Sequence, residues 1–235
     1  MTRSTALRTL EMLKALSAEF EGKSPQEITA WALGEYHPDI ALSCSFGGTG
    51  GVALVDMLTK IRPDVRVFYL DTEFLFAETY ETRDRLVERY GIQPVAYRAA
   101  LSPQDQAKTE GPELYARQPD RCCHLRKVLP MRRALEGLSA WITAIRRDQS
   151  PTRAGTGIVE WDDQFGLVKV NPLATWTEAD VWGYIREHDV PYNPLHDRGY
   201  PSIGCWPCTR PVKEGEDARA GRWAKFSKTE CGIHR

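Results

Sequence analysis

The chain has 235 residues, 42% hydrophobic and 27% charged, which suits one α/β domain with elaborations and a real buried core and calls for no exotic class. A formal net charge of −1, with no broad basic and aromatic surface in the pattern, gives no sign of a nucleic-acid partner. The opening stretch MTRSTALRTLEMLKALSAEF interrupts its apolar residues with Arg, Glu and Lys, so it lacks the apolar run of a signal peptide or a membrane span, and the expected location is the cytoplasm.

Apolar periodicity predicts a helix over about residues 5–19, and a second helix follows at SPQE, where Ser24 caps, Pro25 takes the first helical position and Glu27 closes a capping box. Short apolar runs then alternate with amphipathic segments. IALSCSF reads as a strand, SCSFGGTGG as a glycine loop and VALVDMLTKI as a helix. VRVFYL and PVAYR read as strands around the helix FAETYETRDRLVERYG. A helix is expected after Cys123, then strands at AWITAI and LVKVNP and a helix at TEADVWGYIREH. Strand followed by helix, repeated, predicts a doubly wound, mostly parallel sheet, with ligands beyond the carboxyl ends of its strands. After Asp189 the composition turns to Pro, Gly and aromatics, then to a polar tail. The expected organisation is one domain: N-terminal helices over 1–38, an α/β core over 39–190 and an irregular C-terminal extension over 191–235.

Several stretches fall where that sheet would bind a ligand. The loop Ser43 to Gly51 holds four glycines with Ser43, Ser45 and Thr49, a composition that turns backbone N–H groups toward a phosphate, although it is neither a Walker motif nor GxGxxG. Cys44, beside that strand, reads as a small buried core residue. Asp71 and Thr72 close the next strand at the same edge, where a helix cap is the competing explanation. Arg146, Arg147 and Arg153 share the loop AIRRDQSPTRA with one acid, Asp148, and guanidinium groups fork onto tetrahedral oxyanions.

The cysteines form the sharpest pattern. Adjacent Cys122 and Cys123 make a poor disulfide, and with Cys205 and Cys208 of CWPC they give two distant thiol pairs, a four-sulfur set for zinc or an iron–sulfur cluster; the spacing leaves the two close, with zinc slightly ahead because isolated CxxC pairs are common zinc ligands. A thioredoxin-like dithiol would open a helix after a strand, whereas CWPC follows a Pro-Gly loop late in the chain. Cys231, near Lys228, His234 and Arg235, has neighbours that favour a thiolate on a tail able to move. Basic residues gather around the thiols: six against one acid between Arg117 and Arg133, and seven against four from Thr209 to Arg235, which points to an anionic ligand.

Taken together, CC with LRK, RRDQSPTR, GCWPCTRPVKEGEDARAGRW and KTECGIH resemble the assimilatory sulfonucleotide reductases of the cluster-bearing bacterial type, which act on adenosine 5′-phosphosulfate (APS); the match runs from about Leu42 to Arg235. The resemblance implies an adenine nucleotide alpha hydrolase-like fold and a 4Fe-4S cluster on Cys122, Cys123, Cys205 and Cys208. It implies a nucleotide held by Ser43, Ser45, Phe46, Gly47, Gly48, Thr49, Leu70, Asp71, Thr72, Arg146, Arg147 and Arg153. Lys127, Arg219, Arg222 and His234 would face the phosphosulfate, and Cys231 would be the nucleophile that forms an S-sulfocysteine. AMP and sulfite would be the products and thioredoxin the reductant, with a homo-oligomer compatible. Two positions depart from the family pattern: GGTGG replaces the usual Gly-Ala-Glu-Asp, and Glu73 stands where glycine commonly follows Leu-Asp-Thr.

Rival readings are a reductase for the 3′-phosphorylated nucleotide PAPS, which usually lacks the cysteine pairs, and a dual APS/PAPS enzyme. More distant are an ATP pyrophosphatase-like adenylyl transferase with structural zinc, which has no need of KTECGIH, and a zinc-binding interaction module, which leaves the glycine and arginine loops idle.

Overall fold

The computed structural model describes residues 3–234. The first helix, α1 (Arg3–Glu19), leads into α2 (Pro25–Tyr36), and the expected cap is formed: Ser24 Oγ accepts from the Glu27 N–H at 3.2 Å while Glu27 accepts from the Ser24 N–H at 2.9 Å. The central sheet holds β1 (Ile40–Ser43), β2 (Arg66–Asp71), β3 (Val95–Arg98), β4 (Ala140–Ile142), β5 (Val159–Asp162) and β6 (Leu167–Val170) in the order β3-β2-β1-β4-β6-β5. All neighbours run parallel except β5 and β6. Helices α3 (Thr49–Ile61) and α4 (Ala77–Tyr90) connect the first three strands. The chain then crosses back to place β4 on the other side of β1, so the strand order reverses between β1 and β4 and a crevice opens there.

Alternation along the strands explains why both faces are covered. Ile40 and Leu42 of β1, Val67 and Tyr69 of β2, and Ala140 and Ile142 of β4 pack into one core; the intervening Ala41, Phe68 and Trp141 pack into a second, with Met131 and Leu135. The second core lies under α8 (Leu129–Leu135), and Ile233 of the tail packs onto it.

The sequence reading assigns no element to 159–162. There β5 pairs antiparallel with β6 across the DDQFG turn and is covered by α1, whose Ser17 hydroxyl accepts from the Ile158 N–H at 2.8 Å. Between β3 and β4 the chain forms α5 (Pro103–Glu110), α6 (Leu114–Arg117) and α7 (Pro119–Cys123), so both cysteines of the adjacent pair end one helix as well as preceding the expected next one. A π-helical turn, His124–Val128, follows and runs into α8. The last long helix, α9 (Glu178–Glu187), precedes an extension without further strands or α-helices among the described residues. None of the described helices is long and apolar enough to cross a membrane.

Candidate active site

One cavity of about 490 Å³ occupies the crevice at the strand-order reversal, and five stretches that the sequence reading singled out contribute to its walls. The first is the glycine loop. β1 delivers Ser43 and Ser45, and Gly48 precedes α3 without a side-chain cap, so the first-turn N–H groups of a 13-residue helix are not taken up by a capping side chain. Gly50 lets the helix approach β4: a Cβ there would meet the Ala144 methyl at 3.2 Å and the Leu173 side chain at 3.1 Å. Leu70 and Thr72 come from the end of β2. Arg146, Gln149 and Arg153 come from the loop after β4.

Lys127 enters from the π-helical turn. A wider turn rotates successive side chains differently from an α-helix, and here consecutive residues serve different ends. Arg126 points inward, fully buried, donating to the Thr72 carbonyl at 2.7 Å, to Gln106 at 3.0 Å and to Glu73 at 2.5 Å. Lys127 instead lines both the large cavity and the thiol cavity beside it. Burial works against its charge, but the Cys205, Cys231 and Cys123 sulfurs outweigh that, so its pKa is raised and it stays an ammonium.

The C-terminal extension supplies the fifth wall. Arg219, Arg222, Glu230, Cys231, Ile233 and His234 all line the cavity. Arg222 lies over the Trp223 ring at 4.5 Å and passes Gly204 so closely that any Cβ there would overlap the guanidinium. Glu230, next to Cys231, is clamped by Arg153 through two hydrogen bonds of 2.8 Å and by Arg219 at 3.3 Å. His234 stacks parallel on Trp141 with ring centroids 5.6 Å apart, and its buried Nδ1 has no hydrogen-bond partner. Burial, then Lys169, Arg153 and Arg219, push its pKa well down, so the ring is neutral. Arg235, named above as a neighbour of Cys231, lies outside the described residues.

Cys122, Cys123, Cys205 and Cys208 line the smaller cavity together with Lys127, Phe74, Tyr115 and Trp223. None is in a disulfide. Burial and then the other three sulfurs push the Cys122 thiol up to about 12, and burial and then Cys205 push Cys208 up to about 11. Four thiols gathered this way repel one another when ionised, which is the donor set a cationic centre stabilises. Among the described residues no group of three or more His, Cys, Asp or Glu side chains is disposed to hold a metal ion. The two thiol pairs meet at one small cavity, and a set of four sulfurs suits a thiophilic metal centre.

Three expected substrate residues are placed elsewhere. Asp71 is buried behind the turn: burial pushes its pKa up, but hydrogen bonds from Tyr80 at 2.6 Å, the Glu73 N–H at 3.0 Å and Arg98 at 2.9 Å outweigh that and hold its carboxyl below the usual range. Its work is to shape the Thr72 turn. Phe46 is buried against Tyr69 with centroids 5.5 Å apart and does not line the cavity. Arg147 turns away to Glu21 at 2.6 Å and the Thr156 carbonyl at 2.8 Å, tying the loop to the N-terminal helices. Cys44 is the core thiol expected, its pKa pushed up by burial to about 12.

Residues that the sequence reading passed over also line the cavity, Glu178, Trp182 and His196, together with Asp148 of the arginine loop. His196 bonds the Gly47 carbonyl through Nε2 at 3.0 Å, across 149 positions of sequence, and no local spacing announces such a contact.

The phosphoadenosine phosphosulfate reductase domain matches residues 39–211. A protein of Salinibacter ruber named adenosine 5′-phosphosulfate reductase is 50% identical over 223 residues, 94% of this chain and 88% of its own. One of the same name from Halalkalibacterium halodurans is 48% identical over 235 residues, 100% of each chain. Among solved structures, the phosphoadenylyl-sulfate reductase of Candida auris in its phosphate complex superposes with a TM-score of 0.75 at 31% identity, covering 85% of this chain and 97% of that one. An FMN adenylyltransferase of Candida glabrata, at TM-score 0.58 and 13% identity over 89% and 76% of the two chains, shares the fold alone. With a matched domain that spans the sheet, the glycine and arginine loops and both cysteine pairs, and with relatives that extend through the Cys231 tail, the chain belongs to the phosphoadenosine phosphosulfate reductase family.

Proposed function

We propose that this protein reduces adenosine 5′-phosphosulfate to sulfite and AMP in sulfate assimilation, with Cys231 as the nucleophile and a thioredoxin-type dithiol protein of a reducing cytoplasm as the electron donor. The observation that carries the proposal is the presence of Cys231 in one cavity with Lys127, Arg219, Arg222 and the glycine loop. The names of the relatives, at 50% and 48% identity, support the choice of substrate.

Thiolate and phosphosulfate are both anions, and the reaction needs cations between them. Lys127, Arg219 and Arg222 fill that need: they lower the repulsion on approach and take up charge as it moves to the leaving group. The Cys231 thiolate attacks the sulfur, the bond from sulfur to the bridging phosphate oxygen breaks, AMP leaves, and the sulfo group remains on Cys231. A thiolate of the partner then attacks Cys231 Sγ. Sulfite leaves with the electron pair of the S–S bond, and a mixed disulfide forms. The second partner thiol displaces Cys231, so the partner is oxidised by two electrons and the enzyme thiol is restored.

Cys122, Cys123, Cys205 and Cys208 are the residues that would hold a 4Fe-4S cluster. Such a group supplies a compact anionic centre beside Lys127. Lys127 is then the residue that stands between two anions, lining both cavities.

Anaerobically purified protein supplied with reduced thioredoxin should convert APS to equimolar sulfite and AMP and contain about four irons and four labile sulfides per chain. Stoichiometric zinc without sulfide, and no sulfite from APS, would turn the reading toward an adenylyl transferase.

A further inference from the structure

The charges around the cavity are sorted. Cys231 shares its end with Lys127, Arg153, Arg219 and Arg222, set against the carboxylates Glu230 and Asp217. At the start of α3 the balance is reversed: one guanidinium, Arg146, faces two carboxylates, Glu178 and Asp148. Arg146 is 2% exposed, and it donates through Nε to Asp148 at 3.0 Å and through Nη2 to Glu178. The same Glu178 carboxylate accepts from the Thr49 hydroxyl at 3.2 Å, in the first turn of α3. Asp148 in turn accepts from the Glu178 N–H at 2.7 Å.

This position is not required by the helix it opens. α9 is already capped by Thr177 and Asp180, which close a reciprocal box at 3.2 and 2.8 Å. Glu178 is thus free to reach across to another helix, 129 residues away in sequence, and it occupies the place where a second anionic group on a ligand would find a buried arginine, a threonine hydroxyl and a helix N-terminus.

Building on the nucleotide reading above, we propose that Glu178 is the specificity-determining residue of the cavity: its carboxylate fills the second anion position and turns away nucleotides that carry a phosphate on the 3′-hydroxyl. A nucleotide anionic only at its 5′ end finds its counter-charges in the cations around Cys231 and brings no second anion against Glu178. A 3′-phosphate adds close to two further negative charges, and against Glu178 and Asp148 it meets repulsion in place of a partner. Discrimination of this kind comes from a repulsive element as much as from an attractive one.

The test compares AMP with adenosine 3′,5′-bisphosphate, by calorimetry on anaerobically purified protein, in wild type, Glu178→Gln and Glu178→Asp. Gln keeps the size and, with its oxygen toward Arg146, one acceptor, its amide N–H facing the Thr49 hydroxyl, while removing the charge; Asp keeps the charge. The ratio of bisphosphate to AMP affinity should rise at least about tenfold in Glu178→Gln and stay near wild type in Glu178→Asp. The same preference should move in the KM for the 3′-phosphorylated substrate more than in its kcat. An unchanged ratio in Glu178→Gln, with AMP still bound, overturns the role of Glu178 and leaves the functional reading standing. Absence of AMP binding in wild type overturns both.

Discussion

Glu73 occupies a backbone position with φ of 57°, in the left-handed region where a side chain costs about 1 kcal/mol and glycine nothing. The chain keeps a glutamate there because its carboxylate meets Arg126 at 2.5 Å, and Arg126 is 1% exposed. Removing one partner of a buried pair costs about 3 kcal/mol, and with the Glu73 side chain 31% exposed the loss falls to about 2 kcal/mol after screening. Glu73→Gly therefore loses about 1 kcal/mol net, read as a lower denaturant midpoint. A stabilised variant would show that the backbone cost dominates. Because Arg126 also holds the Thr72 carbonyl and sits between Cys123 and Lys127, the pair braces the β2 turn against the thiol-bearing helix. Lys127 belongs to the same scale. Lys127→Ala is expected to lower turnover of APS by about a hundredfold, the size of loss typical for a removed charge-stabilising donor, while iron content changes much less. Equal proportional losses of iron and turnover would make Lys127 a structural support of the thiol cavity.

Among the elements, the C-terminal tail is held by few and specific contacts: Glu230 on Arg153 and Arg219, Ile233 on the second core, His234 on Trp141. Cys231 lies between these anchors, so access to its sulfur widens when they release. One anchor responds to pH. Docked, His234 is neutral with its pKa pushed well below 6.5; in the open tail it titrates near its ordinary value of about 6.5. The open form thus binds more protons as pH falls, and docking, full above about pH 6.5, weakens below it. Hydrogen exchange of residues 230–234, corrected for the intrinsic rate, should show protection falling from about pH 7 to pH 5 in wild type but not in His234→Phe. Flat protection in wild type would place the tail's hold in Glu230 and Ile233 and not in His234.

The contrast between elements also explains how much was legible in sequence. Strong, local signals were sufficient for the Ser24 capping box, the glycine loop and the alternating strands, since each depends on neighbours within a few residues. The short strand β5 and the helices α5 to α7 carry weaker signals and owe their place to partners far along the chain, Ser17 on Ile158 among them. At the site, residue type located the thiols, the arginine loop and Cys231, but not the direction of each side chain. Asp71 and Arg147 were legible as charged residues at the right edge of the sheet; that one turns to Tyr80 and the other to Glu21 is decided by tertiary packing. Glu178 was legible only as a residue at the start of a helix, because its partner Thr49 lies across the cavity.

At the scale of the whole molecule, the doubly wound sheet places the glycine loop after β1 and the arginine loop after β4 on either side of one crevice, and the extension after α9 closes over it. The fold is shared with an adenylyltransferase of 13% identity, so it does not specify the chemistry. The chemistry of this chain rests on the second cavity of four thiols next to the first, with Lys127 lining both, and on a tail that carries a fifth thiol to the first. The account stands or falls on that fifth thiol. The most direct measurement is a single turnover without reductant: reduced protein and APS, followed by intact-mass and peptide analysis and by assay of AMP. One sulfo group per chain, located on Cys231, with equimolar AMP and no adduct in Cys231→Ser, is the predicted result. AMP released without an adduct, or an adduct on one of the paired cysteines, would contradict it.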